Sequence, residues 1–162
     1  MDRAARAIEQ WKRERPDLDV SPMGVIGRLN EASSLIARDR LAPVFARFGL
    51  QSGEFDVLAT LRRSGTPYAL TPTALYEATM VTSGAMTARL DRLEKTGLIR
   101  RAPHPSDRRG VVVQLTAKGL ELVDQALAAH VANEHHILAG LTNSERETLA
   151  HLLGKLIVSL SP

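Results

Sequence analysis

Short helical patterns, two strand patterns around an arginine-tipped turn, and two long amphipathic helical patterns follow one another along the chain. That order predicts a mainly α fold: a winged helix-turn-helix with a β-hairpin wing and long N- and C-terminal dimerisation helices. Charge supplies a second indication. Segment 89–110 holds seven Arg and Lys against three acidic residues, so it carries +4 while the remaining 140 residues carry −1. Length supplies a third, since 162 residues, 44% of them hydrophobic, suit one core domain with helical arms.

Ala4, Ile8 and Trp11 recur at helical spacing and predict a helix over 3–15, stopped by Pro16. Residues 16–22, between two prolines, read as a linker. A longer helix is expected over 23–48, with Ile26, Leu29, Ser33 and Ile36 on one side, a kink or local end at Pro43 and a stop at Gly49. Ser52 is the expected cap of a helix over 53–63 carrying Phe55, Val57, Leu58 and Leu61. Ser64-Gly65-Thr66-Pro67 reads as a loop, and Thr71-Pro72 starts a short helix to about Thr79. Another helix begins at Thr82 or Ser83 and ends at Thr96-Gly97. Strands are expected over 98–102 and 111–115. Thr116 begins a long helix to about Ala139, with Leu120, Val123, Leu127 and Val131 in register. Thr142-Asn143-Ser144-Glu145 matches a capping box and opens the last helix, to about Leu160. The expected organisation is an arm and linker over 1–22, a winged helix-turn-helix over 51–116, and a dimerisation region over 23–50 and 117–162. The long flanking helices have more apolar surface than one wing domain covers. They pack either against a second copy in a two-fold homodimer or as an intramolecular bundle.

Composition narrows the function. The chain has no Cys, which excludes disulfides, thiolate zinc sites and cysteine redox sensing. No stretch reaches eighteen uninterrupted apolar residues, and Met1-Asp2-Arg3-Ala4-Ala5-Arg6 has no apolar segment of a signal peptide. A cytoplasmic protein without membrane contact is expected. His104, His130, His135, His136 and His151 show no metal-ligand spacing and read as surface residues. Phosphate-binding glycine loops, nucleophile elbows and dinucleotide fingerprints do not occur, and Glu77, Glu94 and Glu121 have no evident acid–base partner. The reading is therefore not an enzyme, with no metal and no cofactor.

Projecting residues 82–95 at about 100° per residue places Met86, Leu90 and Leu93 on one face, as core. Gly84, Ala88, Asp91 and Lys95 face away, flanked by Ala85, Thr87 and Arg92. Small and hydroxyl residues near a helix start let the backbone approach the major groove. Thr82, Ser83, Ala85, Thr87 and Arg92 are the candidate contacts to phosphate and base edges. Arg108 and Arg109 at the hairpin tip suit a narrow minor groove, where the negative potential is deepest. Asp107 can also brace one of them.

These features together resemble the MarR family of bacterial regulators. The run Thr82-Ser83-Gly84-Ala85-Met86-Thr87-Ala88-Arg89-Leu90-Asp91-Arg92-Leu93-Glu94 carries the likeness, with Gly97-Leu98-Ile99-Arg100-Arg101 and the wing Ser106-Asp107-Arg108-Arg109-Gly110. Val113-Gln114-Leu115-Thr116-Ala117-Lys118-Gly119 completes it. The resemblance implies a homodimer on double-stranded, pseudo-palindromic operator DNA, usually a repressor released by a small anionic or phenolic ligand. Two symmetric recognition helices put the half-sites about one helical turn apart.

Four residues suggest where such a ligand sits. Arg89 projects near the buried side of its helix, and a half-buried guanidinium needs an anionic partner. Asp56 and Arg63 share one side of the preceding helix, and Trp11 is the only tryptophan. Arginines match the charge of a flat anion and an indole covers its face. Equally, Asp56–Arg63 or Asp56–Arg89 can be ordinary ion pairs, and Trp11 can fasten the arm. The combination is similar to the urate-responsive (PecS-type) subgroup of the family. That likeness implies a ligand site of Trp11, Asp56, Arg89 and Arg63 for urate, a related purine or a phenolic anion. It further implies a signal-relay arginine at the wing base, at Arg101 or the adjacent Arg100. A winged-helix interaction or architectural module without a ligand is the alternative. A binding or degradative protein for a planar anion is a third.

Overall fold

The computed structural model describes residues 1–79, 83–106 and 110–161. They form two compact units, Met1–Pro43 and Val44–Pro162. In the first, helix α1 spans Arg3–Glu14 and α2 spans Ser21–Leu35. Asp2 caps α1 by accepting the Ala5 N–H at 2.8 Å, and Arg28 of α2 donates to the same carboxylate at 2.9 Å. Gly24 lets the two helices close, since a Cβ there would stand 2.8 Å from Ile8 Cδ1.

The expected single helix over 23–48 is instead divided. After α2 the chain takes a π-helical turn, Ile36–Leu41, before α3, Ala42–Ala46. Pro43 has no N–H to continue the ladder and its ring crowds the turn before it. The strain is relieved one turn earlier than the kink expected at Pro43 itself, where the Ala42 N–H bonds back to Ala37 O, an i→i−5 step.

In the second unit, α4 (Ser52–Arg63) is followed by β1 (Ala69–Leu70), α5 (Pro72–Ala78) and α6 (Ser83–Lys95). Strands β2 (Ile99–Pro103) and β3 (Val111–Leu115) make the wing, and α7 (Ala117–Ile137) and α8 (Asn143–Leu160) close the chain. The sheet is antiparallel in the order β1-β3-β2, with Ile99 opposite Leu115 and Pro103 opposite Val111. Strand β1 falls between the loop expected over 64–67 and the helix start at Thr71, where no strand is expected. Two residues carry no alternation to detect, and their partners, Gln114 and Val113, lie far along the chain. The cap of α4 is Gln51, not Ser52: its N–H donates to Glu54 Oε2 at 2.8 Å. Thr71, Thr116 and Thr142 cap as expected, each accepting a backbone N–H of the first turn.

The core gathers Val57, Leu58 and Leu61 of α4 with Leu75, Leu93, Ile99, Val113 and Val123, all fully buried. Phe45 stacks on Phe55 with ring centroids 4.4 Å apart. Outside this core much apolar surface stays uncovered in the single chain. Helix α8 buries no residue, and its Leu152, Ile157 and Leu160 are 55%, 58% and 74% exposed. Among the described residues no helix is long and apolar enough to cross a membrane.

Candidate functional site

Helix α6 presents the face its sequence predicts. Met86, Leu90 and Leu93 are buried, while Thr87, Ala88, Asp91, Arg92 and Lys95 are exposed and Ala85 is intermediate. Thr82, Arg108 and Arg109 lie outside the described residues, as does the side chain of Ser83. Arg92 is half exposed and paired: its Nε stands 2.9 Å from Glu54 Oε1. Glu54 is almost wholly buried, so one carboxylate both caps α4 and ties α6 to it. Sequence reasoning missed Glu54. Its capping-box spacing from Gln51 is the signal that finds it.

The wing base is clamped to the same helix. Arg101 Nη2 stands 2.7 Å from Asp91 Oδ1, its Nη1 bonds Glu94 Oε2, and its backbone N–H donates to Glu94 Oε1 at 3.0 Å. Asp91, with Glu94 adding to it, holds that guanidinium in its charged form. Arg100 turns the other way and donates to Gln114 Oε1 at 2.7 Å, while Gln114 Nε2 donates to Pro67 O. Of the two wing-base arginines it is therefore Arg101 that touches the recognition helix.

Beside this lies an open pocket of about 900 Å³ between α4, the end of α5 and α7. Asp56, Arg63, Thr79, Leu127, His130 and Val131 are among its walls. Leu127 and Val131 continue the apolar register of α7, yet they are exposed because they line this hollow. Asp56 reaches solvent on one side. Even so, burial pushes its carboxyl above the ordinary 3.8, against the pull of the Arg89 guanidinium foremost and, more weakly, that of Arg63. None of these cations is within ion-pair distance of Asp56 among the described residues. Arg63 instead donates to Ala78 O at 3.0 Å and holds the end of α5. Trp11 lies on α1, in the unit 1–43, and is 44% exposed.

Arg89 is half-buried, as its helical position predicts. Its guanidinium lies flat on the backbone of Gly53 in the first turn of α4, where a Cβ would overlap Cζ, Nε and Nη2. Arg89 Nη1 is buried without a hydrogen-bond partner. A buried donor left open costs about 1–3 kcal/mol, more when charged.

In Gly53→Ala the methyl occupies the guanidinium's seat, but the group displaced is the flexible end of one side chain. We expect a melting temperature within a few degrees of wild type, because helix propensity gains about 1 kcal/mol. Anion affinity should fall about tenfold, the equivalent of one neutral-strength hydrogen bond, and calorimetry reads both. For Asp56, the raised folded-state value means the native protein holds this proton more tightly than the unfolded chain. The carboxyl's contribution is then fully present below about pH 4 and is lost as pH rises through the folded value. Asp56→Asn should therefore match or exceed wild type in melting temperature near neutrality, with the gap closing in acid. A neutral-pH loss would overturn the assignment.

A helix pair backed by a hairpin, with a polar helix face presented outward and the wing base clamped to it, defines a winged helix-turn-helix DNA-binding protein. A profile described as MarR family matches residues 48–110. The transcriptional regulator PecS of Dickeya dadantii is 47% identical over 148 residues, covering 91% of this chain and 89% of that protein. The multiple antibiotic resistance protein MarR of Escherichia coli is 31% identical over 141 residues, covering 86% and 93%. A cysteine-to-serine variant of that protein, solved with operator DNA, superposes with TM-score 0.72 at 28% identity, covering 90% of this chain and 96% of that one. The chain belongs to the MarR family of transcriptional regulators, which are non-enzymatic DNA-binding proteins.

Proposed function

We propose that the chain is a homodimeric transcriptional repressor, released from a pseudo-palindromic operator by urate, a related purine or a similar planar anion such as a phenolate. The observation that carries this reading is Arg89. It sits on the recognition helix, its Nη1 is buried and unpartnered, and it acts on Asp56 in the pocket wall. An anion that engages Arg89 therefore pulls on the element that reads DNA. A ligand shifts the protein only through unequal affinity for its two states, and such a contact supplies that inequality.

In this reading Asp56, Arg63 and Arg89 bind the anion. Arg101 relays the movement, because Asp91 and Glu94 make the wing base follow α6. Ser83, Ala85, Thr87, Arg92 and Thr82 meet the major groove, and Arg108 and Arg109 meet the minor groove. Residues 51–116 form the DNA-binding domain, 23–50 and 117–162 the dimerisation region, and 1–22 the arm. The uncovered apolar side chains of α8 support a second copy as their cover. The protein acts in the cytoplasm. The test is an operator gel shift at fixed salt with urate added, alongside tryptophan fluorescence. Urate should quench the fluorescence and release the DNA. Binding that persists at millimolar urate would favour an architectural module instead.

A further inference from the structure

His130 is not the surface residue its spacing suggests. Its side chain is only 16% exposed, and its ring packs against Phe45 and Phe55 with centroids 5.2 and 4.9 Å away. Nε2 stands 3.1 Å from Glu134 Oε1 one turn on, while Nδ1 is buried and has no partner. A neutral imidazole that donates from Nε2 to a carboxylate keeps a lone pair on Nδ1, so the orphan atom is an acceptor. The two phenyl rings and Glu134 fix the ring's orientation. His130 lines the same pocket as Asp56.

The pocket wall is thus of mixed demand. Arg63 lines it and calls for negative charge, and Arg89 acts on its Asp56 from α6, whereas Asp56 and His130 Nδ1 call for hydrogen-bond donors. A simple carboxylate or phenolate brings acceptors alone, so it sets a second negative charge beside Asp56 and leaves the buried His130 Nδ1 unsatisfied. An anionic nitrogen heterocycle, in which ring N–H groups alternate with charged or carbonyl oxygens, satisfies both sets. We propose that His130 is a specificity-determining ligand residue, whose Nδ1 accepts an N–H of the bound heterocycle and so selects cyclic ureide- or imide-type anions over carboxylates and phenolates. This rests on the reading of the pocket as a ligand site and narrows what it takes.

The test pairs two substitutions with opposite defects. His130→Phe keeps a ring against Phe45 and Phe55 but has no acceptor. His130→Asn loses the ring but keeps an amide oxygen near the Nδ1 position. Urate affinity is measured by calorimetry on the full chain, with thermal melting and ligand-free operator binding recorded beside it. Wild type should bind urate. His130→Phe should bind it about tenfold more weakly, the worth of one hydrogen bond to an ionic ligand, at near wild-type melting temperature. His130→Asn should stay within about threefold of wild type while melting lower. Salicylate, with no ring N–H, should bind wild type and His130→Phe alike. Undiminished urate binding in His130→Phe overturns the role of His130 and leaves the pocket reading intact. The reverse order of the two variants does the same, because it makes the ring's packing the whole effect. Wild type that binds neither anion overturns both readings.

Discussion

Gly119→Ala is expected to lower the melting temperature by roughly 10 °C, corresponding to about 3 kcal/mol in a chain of this size. Gly119 lies in the first turn of α7 and is buried. A Cβ built on it would run into the carbonyl oxygen of Leu98 and stand 2.9 Å from its carbon. The obstacle is backbone, so no side chain can swing aside. That backbone is also committed elsewhere: Leu98 O accepts the Thr116 N–H at 3.1 Å, and Thr116 Oγ1 donates to Gly97 O at 2.7 Å. Moving α7 away breaks the junction where the recognition helix turns into the wing. Operator affinity should therefore fall together with stability, as thermal melting and a gel shift at one salt concentration will read. A variant that melts like wild type would mean the helix and the strand separate freely at this point. The sequence shows only a glycine near a helix start. Room for the Leu98 carbonyl, not backbone conformation, is what requires it.

Arg89→Ala should abolish the response to urate while sparing the fold. Deleting a cation from an ordinary ion pair costs stability, because its partner is stranded. Arg89 differs, since its Nη1 has no partner to strand and its burial is itself a cost. Removing it gives up the packing on Gly53 and relieves that cost, so the melting temperature should stay within a few degrees of wild type or rise. A ligand anion that uses the group gains a charge-assisted bond worth about 2–5 kcal/mol when truncated. Urate affinity should then drop about a hundredfold or more, and the operator complex should persist at urate concentrations that dissociate the wild type. Titration of both proteins by fluorescence and gel shift decides the matter. Release of Arg89→Ala at wild-type urate levels would remove this residue from the sensing path. In the Arg89→Ala background, Gly53→Ala should have no further effect on urate binding, because the two act through one contact.

Much of the architecture was legible along the chain. Thr71, Thr116 and Thr142 announce helix starts through hydroxyls that cap within three residues. Met86, Leu90 and Leu93 recur at the period of a helix, so their burial is a local consequence of spacing. The half-buried position of Arg89 came from the same projection. Errors arose where local chemistry was ambiguous. Two neighbouring polar residues, Gln51 and Ser52, can each cap α4, and the Glu54 carboxylate selects Gln51. At Pro43 the missing N–H was legible, but not that the helix would absorb it as a π-turn rather than bend.

The site divides along the same line. Sequence alone determined which chemistries are present: a carboxylate and arginines on α4 and α6, hydroxyls on the recognition helix, arginines at the wing, and no thiol. Tertiary structure decided whom each group meets. Arg63 goes to Ala78 O and not to Asp56, Arg92 to Glu54, and Arg101 to Asp91 and Glu94. His130, indistinguishable in sequence from four other histidines, becomes a half-buried ring with one buried, unused nitrogen because Phe45 and Phe55 arrive against it. Backbone hydrogen bonds and burial periodicity act over three or four residues, so they are written in order along the chain. The pairing of charges and the orphaning of a donor depend on which surfaces distant segments bring together, and that is settled only when the core packs.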